Sequence, residues 1–254
     1  VILLSDFLEG DSQPVTQRRW IADEVSGDRA ALTGDHADHL IRVLRVRVGE
    51  EFDIAAGAVV RRGRVAEISD GRVEFELTEE VSPATSRTAT QITLLLAVFK
   101  FDRMEWAIEK CTELGVARIL PVICQRTDAH LAAVSGKRAE RWRRIAFQAS
   151  EQSRRASPPE ISDPVKFADA VKIPGALRIA LLESERHLRL RDVLPADSIP
   201  EQVMLAVGPE GGWGENEVQL FHATGWVSAS LGDTILRAET AAIAATSIVL
   251  SELA

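Results

Sequence analysis

ITLLLAVFKFDRMEWAIEKCTELGVARILPVIC, residues 92–124, is the stretch that decides the fold. Its opening, ITLLLAVF, is a near-continuous apolar run, as a strand covered on both faces requires. DRMEWAIEKCTELG then places Met104, Ile108, Cys111 and Leu114 at helical spacing, with Gly115 as the stop. VARILPVIC returns to strand composition. Strand, helix, strand in this order predicts an α/β fold with a mainly parallel sheet.

The same rhythm continues downstream. RAERWRRIAFQASEQSRR (138–155) reads as a helix with Trp142, Ile145 and Ala149 facing in, and LRIALLE (177–183) and QVMLAV (202–207) read as strands. GENEVQLFHATG (214–225) reads as a short helix, VSASL (227–231) as a strand and AETAAIAATSIVLSEL (238–253) as a closing Ala-rich helix.

Upstream the pattern changes. RRWIA (18–22), RAALTG (29–34), EFDIAAG (51–57), VVRRGRVAEI (59–68) and GRVEFELTEE (71–80) are short strand candidates separated by Gly-containing turns, which suggests a small β-barrel. In the last of them Val73, Phe75 and Leu77 alternate with Glu74 and Glu76. GDHADHLIRVLR (34–45) reads as a helix with Leu40, Val43 and Leu44 on one face. VSPATSRTAT (81–90) has linker composition. The expected organisation is a peripheral extension over 1–16, a barrel over 17–82 and an α/β domain over 83–254.

The net charge is −8, against the trend for nucleic-acid binders, yet its distribution is uneven. Residues 137–155 hold seven Lys/Arg against two Asp/Glu, a stripe that suits a solvated helix face and is also able to seat a phosphate backbone. If it does, removing Arg138 and Arg155 together flattens the salt dependence of RNA binding. The two cysteines read as buried apolar residues in a reducing cytoplasm, and His36 and His39 have no cluster to complete a metal site. No metal, membrane span or secretory signal is expected.

Ligands of open parallel sheets bind beyond the carboxyl ends of the strands. Three such loops stand out: Leu182 and Glu183, VGPEGGWGE (207–215) and LGDTILRAE (231–239). Neither a Walker A nor a GxGxxG pattern is present, so the glycines suit an uncharged ring such as adenine better than a phosphate.

GPEGGW (208–213) followed by LGDTILRAETA (231–241) resembles the paired cofactor loops of the SPOUT methyltransferases. The ordered matches RRW, HLIRVLRVRVGE (39–50), KFDRMEWAIEKCTELGV (100–116), PVICQRT (121–127), RWRRIAFQASEQSRR (141–155) and PPEI narrow the resemblance to the RsmE family. That family methylates N3 of a uridine in small-subunit (16S) ribosomal RNA. The likeness covers nearly everything from Arg18 onward. It implies a carboxyl-terminal SPOUT α/β trefoil-knot domain, a small amino-terminal PUA-like β-barrel and a cytoplasmic homodimer. It also implies S-adenosyl-L-methionine as cofactor and small-subunit ribosomal RNA, or the small subunit itself, as partner.

Carried over by motif, the cofactor candidates are Leu182, Glu183, Gly208, Gly211, Gly212, Leu231, Gly232, Ile235 and Leu236. The imino proton of uridine has to leave, so a base or a stabilising cation is needed. Arg237, Glu210 and Glu239 are the catalytic candidates, although Glu210 suits a helix cap equally and Arg237 suits a phosphate. For RNA the candidates are Lys100, Arg126, Arg138 and Arg155, with Arg18, Arg42 and Arg45 on the barrel. Rival readings are a SPOUT ribose 2′-O-methyltransferase, a non-catalytic RNA-binding assembly factor and, more distantly, a hydrolase using Glu210. Intact glycines in both loops weigh against a lapsed cofactor site.

Overall fold

The computed structural model describes residues 19–57, 59–83 and 90–253. The predicted extension over 1–16, Arg18 and most of the 81–90 linker lie outside them.

The first sheet contains β1 (Trp20–Ile21), β2 (Glu24–Ser26), β3 (Arg29–Thr33), β4 (Glu51–Ala56), β5 (Val59–Ser69) and β6 (Arg72–Pro83). Its order is β1-β4-β5-β6-β3-β2, antiparallel except where β1 runs parallel to β4. β1 and β2 are its two edges and do not pair. The expected small PUA-like barrel is present, as an open, curled half-barrel. Register shifts in β5 at Val60/Arg61, Arg61/Gly63 and Val65/Glu67 supply the curl. Gly63 sits at the tightest point: a Cβ there would lie 2.5 Å from Ile54 Cγ1. Val73, Phe75 and Leu77 face inward as their alternation predicts.

The helix expected over 34–45 breaks in two. α1 (Gly34–Asp38) gives way to a π-helical turn, His39–Leu44, closed by Arg45 at φ 54°. The wider winding takes residues three and four apart off a common face. Leu40 is buried, but Val43 and Leu44 turn to solvent, so the expected one-sided face does not form.

The second sheet contains β7 (Gln91–Ala97), β8 (Arg118–Ile123), β9 (Glu160–Ile161), β10 (Val165–Lys166), β11 (Leu177–Leu181), β12 (Gln202–Val207) and β13 (Val227–Ala229). Its order is β10-β8-β7-β12-β11-β13, with β9 beside β8, and every pair is parallel. The helices are α2 (Phe101–Leu114), α3 (Ala129–Val134), α4 (Ala139–Gln152), α5 (Phe167–Ala170), α6 (Glu215–Ala223) and α7 (Ala238–Glu252). They cover both faces, as the apolar run at 92–99 demands. Ile92, Leu94 and Leu96 of β7 join Met104, Ile108, Trp142 and Val249 on one side. Leu95 and Ala97 join Phe167, Trp213, Phe221 and Trp226 on the other. Gly115 ends α2 at φ 105°, the left-handed stop its sequence position predicts.

The two halves meet along α4. Ile21, Ala55 and Val60 pack with Ala156 and Phe147, and the His36 imidazole stacks on Phe147 at 4.8 Å. Arg19 donates to the carbonyl of Arg154.

The cationic stripe at 137–155 is largely engaged within the protein. Arg138 and Arg141 pair with Glu105, and Arg143 pairs with Glu140 and Asp163. Arg155 turns inward, where its Nη1 donates to the carbonyls of Thr112 and Val116, each at 2.8 Å. Burial pushes its guanidinium below the usual arginine range. Those carbonyls flank the end of α2: Thr112 O also accepts the Gly115 N–H at 3.0 Å, whereas Val116 O has no other donor among the described residues. Arg155 is placed as a clamp on that helix terminus, where its Nη1 is taken up. We expect Arg155→Met to lower unfolding free energy by about 1–3 kcal/mol in urea titrations, the cost of leaving the Val116 carbonyl unpaired. The salt slope of RNA binding should not change. An altered slope at unchanged stability would return Arg155 to the RNA surface.

Candidate active site

β11 and β12 are neighbours, and the loops leaving their carboxyl ends are joined by one ring. Trp213 is nearly buried, and its indole Nε1 donates to the Leu181 carbonyl at 2.9 Å. Edge-on contact with Phe221 at 4.9 Å and tilted contact with Phe167 at 5.5 Å hold the ring from behind. Gly208 lies across its face: a Cβ there would sit 3.1 Å from the indole. Gly212 closes the following turn at φ 71°, with its N–H on the Pro209 carbonyl at 2.8 Å, a conformation that suits glycine.

Two further contacts brace this loop from the segment after β8. Arg126 donates to the Gly211 carbonyl at 2.7 Å. The Glu217 carboxylate accepts the N–H groups of Gly214 and Gln125, each at 2.8 Å. Glu217 sits in the first turn of α6, where a carboxylate also faces the favourable end of the helix dipole. The third loop leaves β13, is tied at Ser230 N to the Leu188 carbonyl at 2.8 Å, and ends at Arg237, the N-cap residue of α7.

The three loops and the start of α2 enclose one cavity of about 580 Å³. That size accommodates a nucleoside-scale ligand. All nine cofactor candidates line it: Leu182, Glu183, Gly208, Gly211, Gly212, Leu231, Gly232, Ile235 and Leu236. So do Arg237, Glu210, Glu239, Lys100 and Arg126. Arg42, Arg45, Arg138 and Arg155 do not. Arg42 is exposed and pairs with Asp38 at 3.5 Å, and Arg45 is exposed on the half-barrel. The side chains of Lys100, Arg186 and Arg237 carry no ion pair among the described residues and face solvent at the cavity.

Several residues in and behind the wall were not singled out by the sequence. Arg103 of α2 pairs with Glu239 of α7, across 136 positions of chain. Its sequence signals are its place in the matched KFDRMEWAIEKCTELGV stretch and on the same turn as Lys100, neither of which points to Glu239. Trp213 and Glu217 stand inside or beside the quoted motif, but their tasks depend on Leu181 and Gln125, which spacing does not reveal.

Neither thiol suits nucleophilic chemistry. Burial pushes the Cys111 thiol up to about 12, and burial, then the nearby Glu217 charge, push Cys124 up as well. Among the described residues no three His, Cys, Asp or Glu side chains form a metal-binding group, and no helix is long and apolar enough to cross a membrane.

A model of the RNA methyltransferase domain matches residues 86–250. The ribosomal RNA small subunit methyltransferase E of Synechocystis sp. is 37% identical over 214 residues, covering 83% of this chain and 69% of that one. The chain belongs to the ribosomal RNA small subunit methyltransferase E family. Another member of the family, from Aquifex aeolicus, is 30% identical over 91% of this chain and 97% of its own. Among solved structures, the family member of Neisseria gonorrhoeae bound to S-adenosyl methionine superposes with a TM-score of 0.81 at 29% identity, covering 93% of this chain and 98% of that one. A Legionella pneumophila putative methyltransferase with bound cofactor reaches 0.82 at 28% identity, with the same coverage. The cavity residues fit that cofactor: glycines leave backbone groups open, and Leu231, Ile235 and Leu236 offer apolar surface.

Proposed function

We propose that this chain transfers a methyl group from S-adenosylmethionine to N3 of a uridine in small-subunit ribosomal RNA. The convergence of the glycine loop and the 231–237 loop on one cavity, rimmed by unpaired cations, carries the reading. The cofactor brings a methyl group already activated on a sulfonium, so the protein's task is positioning and charge management. Leu182, the glycines and the 231–236 loop hold the adenosine portion through backbone groups and apolar contact. Arg237 stands where negative charge develops on the uracil oxygens, and Glu210, exposed on the glycine loop, is placed to take the imino proton.

Residues 17–82 hold RNA, with Arg42 and Arg45 as contacts, and 83–254 perform transfer and form a homodimer through the knotted domain that the resemblance implies. The partner is the small-subunit RNA or the subunit itself, and the setting is the cytoplasm. Incubation with labelled cofactor tests the substrate class. Label should enter unmethylated small-subunit RNA and spare large-subunit and transfer RNA. Equal labelling of transfer RNA would overturn it.

A further inference from the structure

Arg103 and Glu239 form an ion pair in the cavity wall, and the two ends differ in exposure. The Glu239 side chain is 5% exposed and the Arg103 side chain 30%. Arg103 uses one guanidinium nitrogen, Nη1, on Glu239 Oε1, and its other nitrogens have no partner among the described residues. Glu239 Oε2 is buried and also lacks a partner. A carboxylate that is buried behind a half-exposed guanidinium anchors it; the group that meets a ligand is the arginine. Glu239 is further steadied by its place in the first turn of α7. A planar fork held from behind offers N–H donors in a fixed direction, which a free lysine does not.

We propose that Arg103 is a catalytic residue and Glu239 its positioning residue. This inference rests on the uridine reading above. Uracil carries a carbonyl on each side of N3–H. As the N3 proton leaves to a base or solvent, negative charge spreads onto those oxygens; the N3 pair then bonds the methyl carbon, and the S–CH3 bonding pair stays on sulfur. Arg103 donates to one carbonyl and lowers the cost of that charge, while Glu239 holds the fork in place before the base arrives. Donors fixed in advance act without reorganisation, which gives them their effect. Lys100, Arg126, Arg237 and Glu210 line the same cavity. Of these, Arg237 supplies the unpaired charge that a paired Arg103 does not.

The test compares R103Q, R103K and E239Q with the unaltered protein on two RNAs, one carrying uridine and one 5-fluorouridine at the target. Fluorine makes the imino proton more acidic, so the base needs less help. R103Q should lose about 100–1000-fold in kcat on uridine. Its cofactor Kd should stay within about twofold, and its deficit should shrink about tenfold or more on 5-fluorouridine. E239Q should show a smaller loss with the same shrinkage, and R103K, which keeps the charge, an intermediate one even if R103Q folds poorly. A deficit equal on both RNAs means a structural role and overturns the proposal, as does near-normal R103Q activity. If the unaltered protein makes no 3-methyluridine, the uridine reading itself fails instead.

Discussion

Arg237→Gln should lower kcat by about 100–1000-fold, the loss typical of one oriented donor to a developing oxyanion. Cofactor affinity should stay within about twofold, and thermal stability should be unchanged or slightly raised. The stability clause follows from position. Arg237 is the N-cap of α7, with extended backbone at φ −66° and ψ 153°, and its side chain makes no cap bond. A cation at that end opposes the helix dipole, at a cost of roughly 0.3–1 kcal/mol. Nothing in the fold repays that cost: the side chain is exposed and unpaired among the described residues. Its exposed, unpaired position at the cavity is what motivates the proposed role in charge stabilisation. Steady-state kinetics, calorimetry and a melting curve on one preparation separate the three quantities. A large drop in cofactor affinity would assign Arg237 to the cofactor instead.

The second large effect concerns binding. Gly208→Val should weaken cofactor affinity by about 100-fold, equivalent to ~2.8 kcal/mol. The first added carbon already stands 3.1 Å from the Trp213 indole. That ring has no room to retreat, because its N–H is fixed on Leu181 and Phe167 and Phe221 stand behind it. The glycine loop itself must move, into space the ligand needs. Gly136→Ala is the control, since nothing lies within 4 Å of a Cβ there. Titration calorimetry with the cofactor reads both. Undiminished binding by Gly208→Val would show that the loop adjusts and that the cavity tolerates it.

Much of the parallel sheet was legible because one-dimensional patterns governed it. A strand buried on both faces has to be apolar throughout, so ITLLLAVF announced β7, and a helix that stops at a left-handed residue announced Gly115. The half-barrel was legible strand by strand, while its open edge depends on whether β1 and β2 reach one another, which strand patterns do not encode. The π-helical turn at His39–Leu44 left no composition signal, and it turned Val43 and Leu44 outward where α-helical spacing placed them inside. The loops of the site could be found from their glycines and their places after apolar runs. Arg155 and Arg103 could not, because a cation reads the same in sequence whether it meets solvent, a helix end or a buried carboxylate. What separates them is a partner far along the chain: Thr112 and Val116 for one, Glu239 for the other.

The position of the transferred methyl group separates a uridine-N3 methyltransferase from a ribose methyltransferase. Small ribosomal subunits lacking base methylation are incubated with the protein and labelled S-adenosylmethionine, and the digested nucleosides are resolved by mass spectrometry. Label should appear in 3-methyluridine alone. Label in a ribose-methylated nucleoside, or cofactor binding with no labelled uridine, would contradict the uridine-N3 reading.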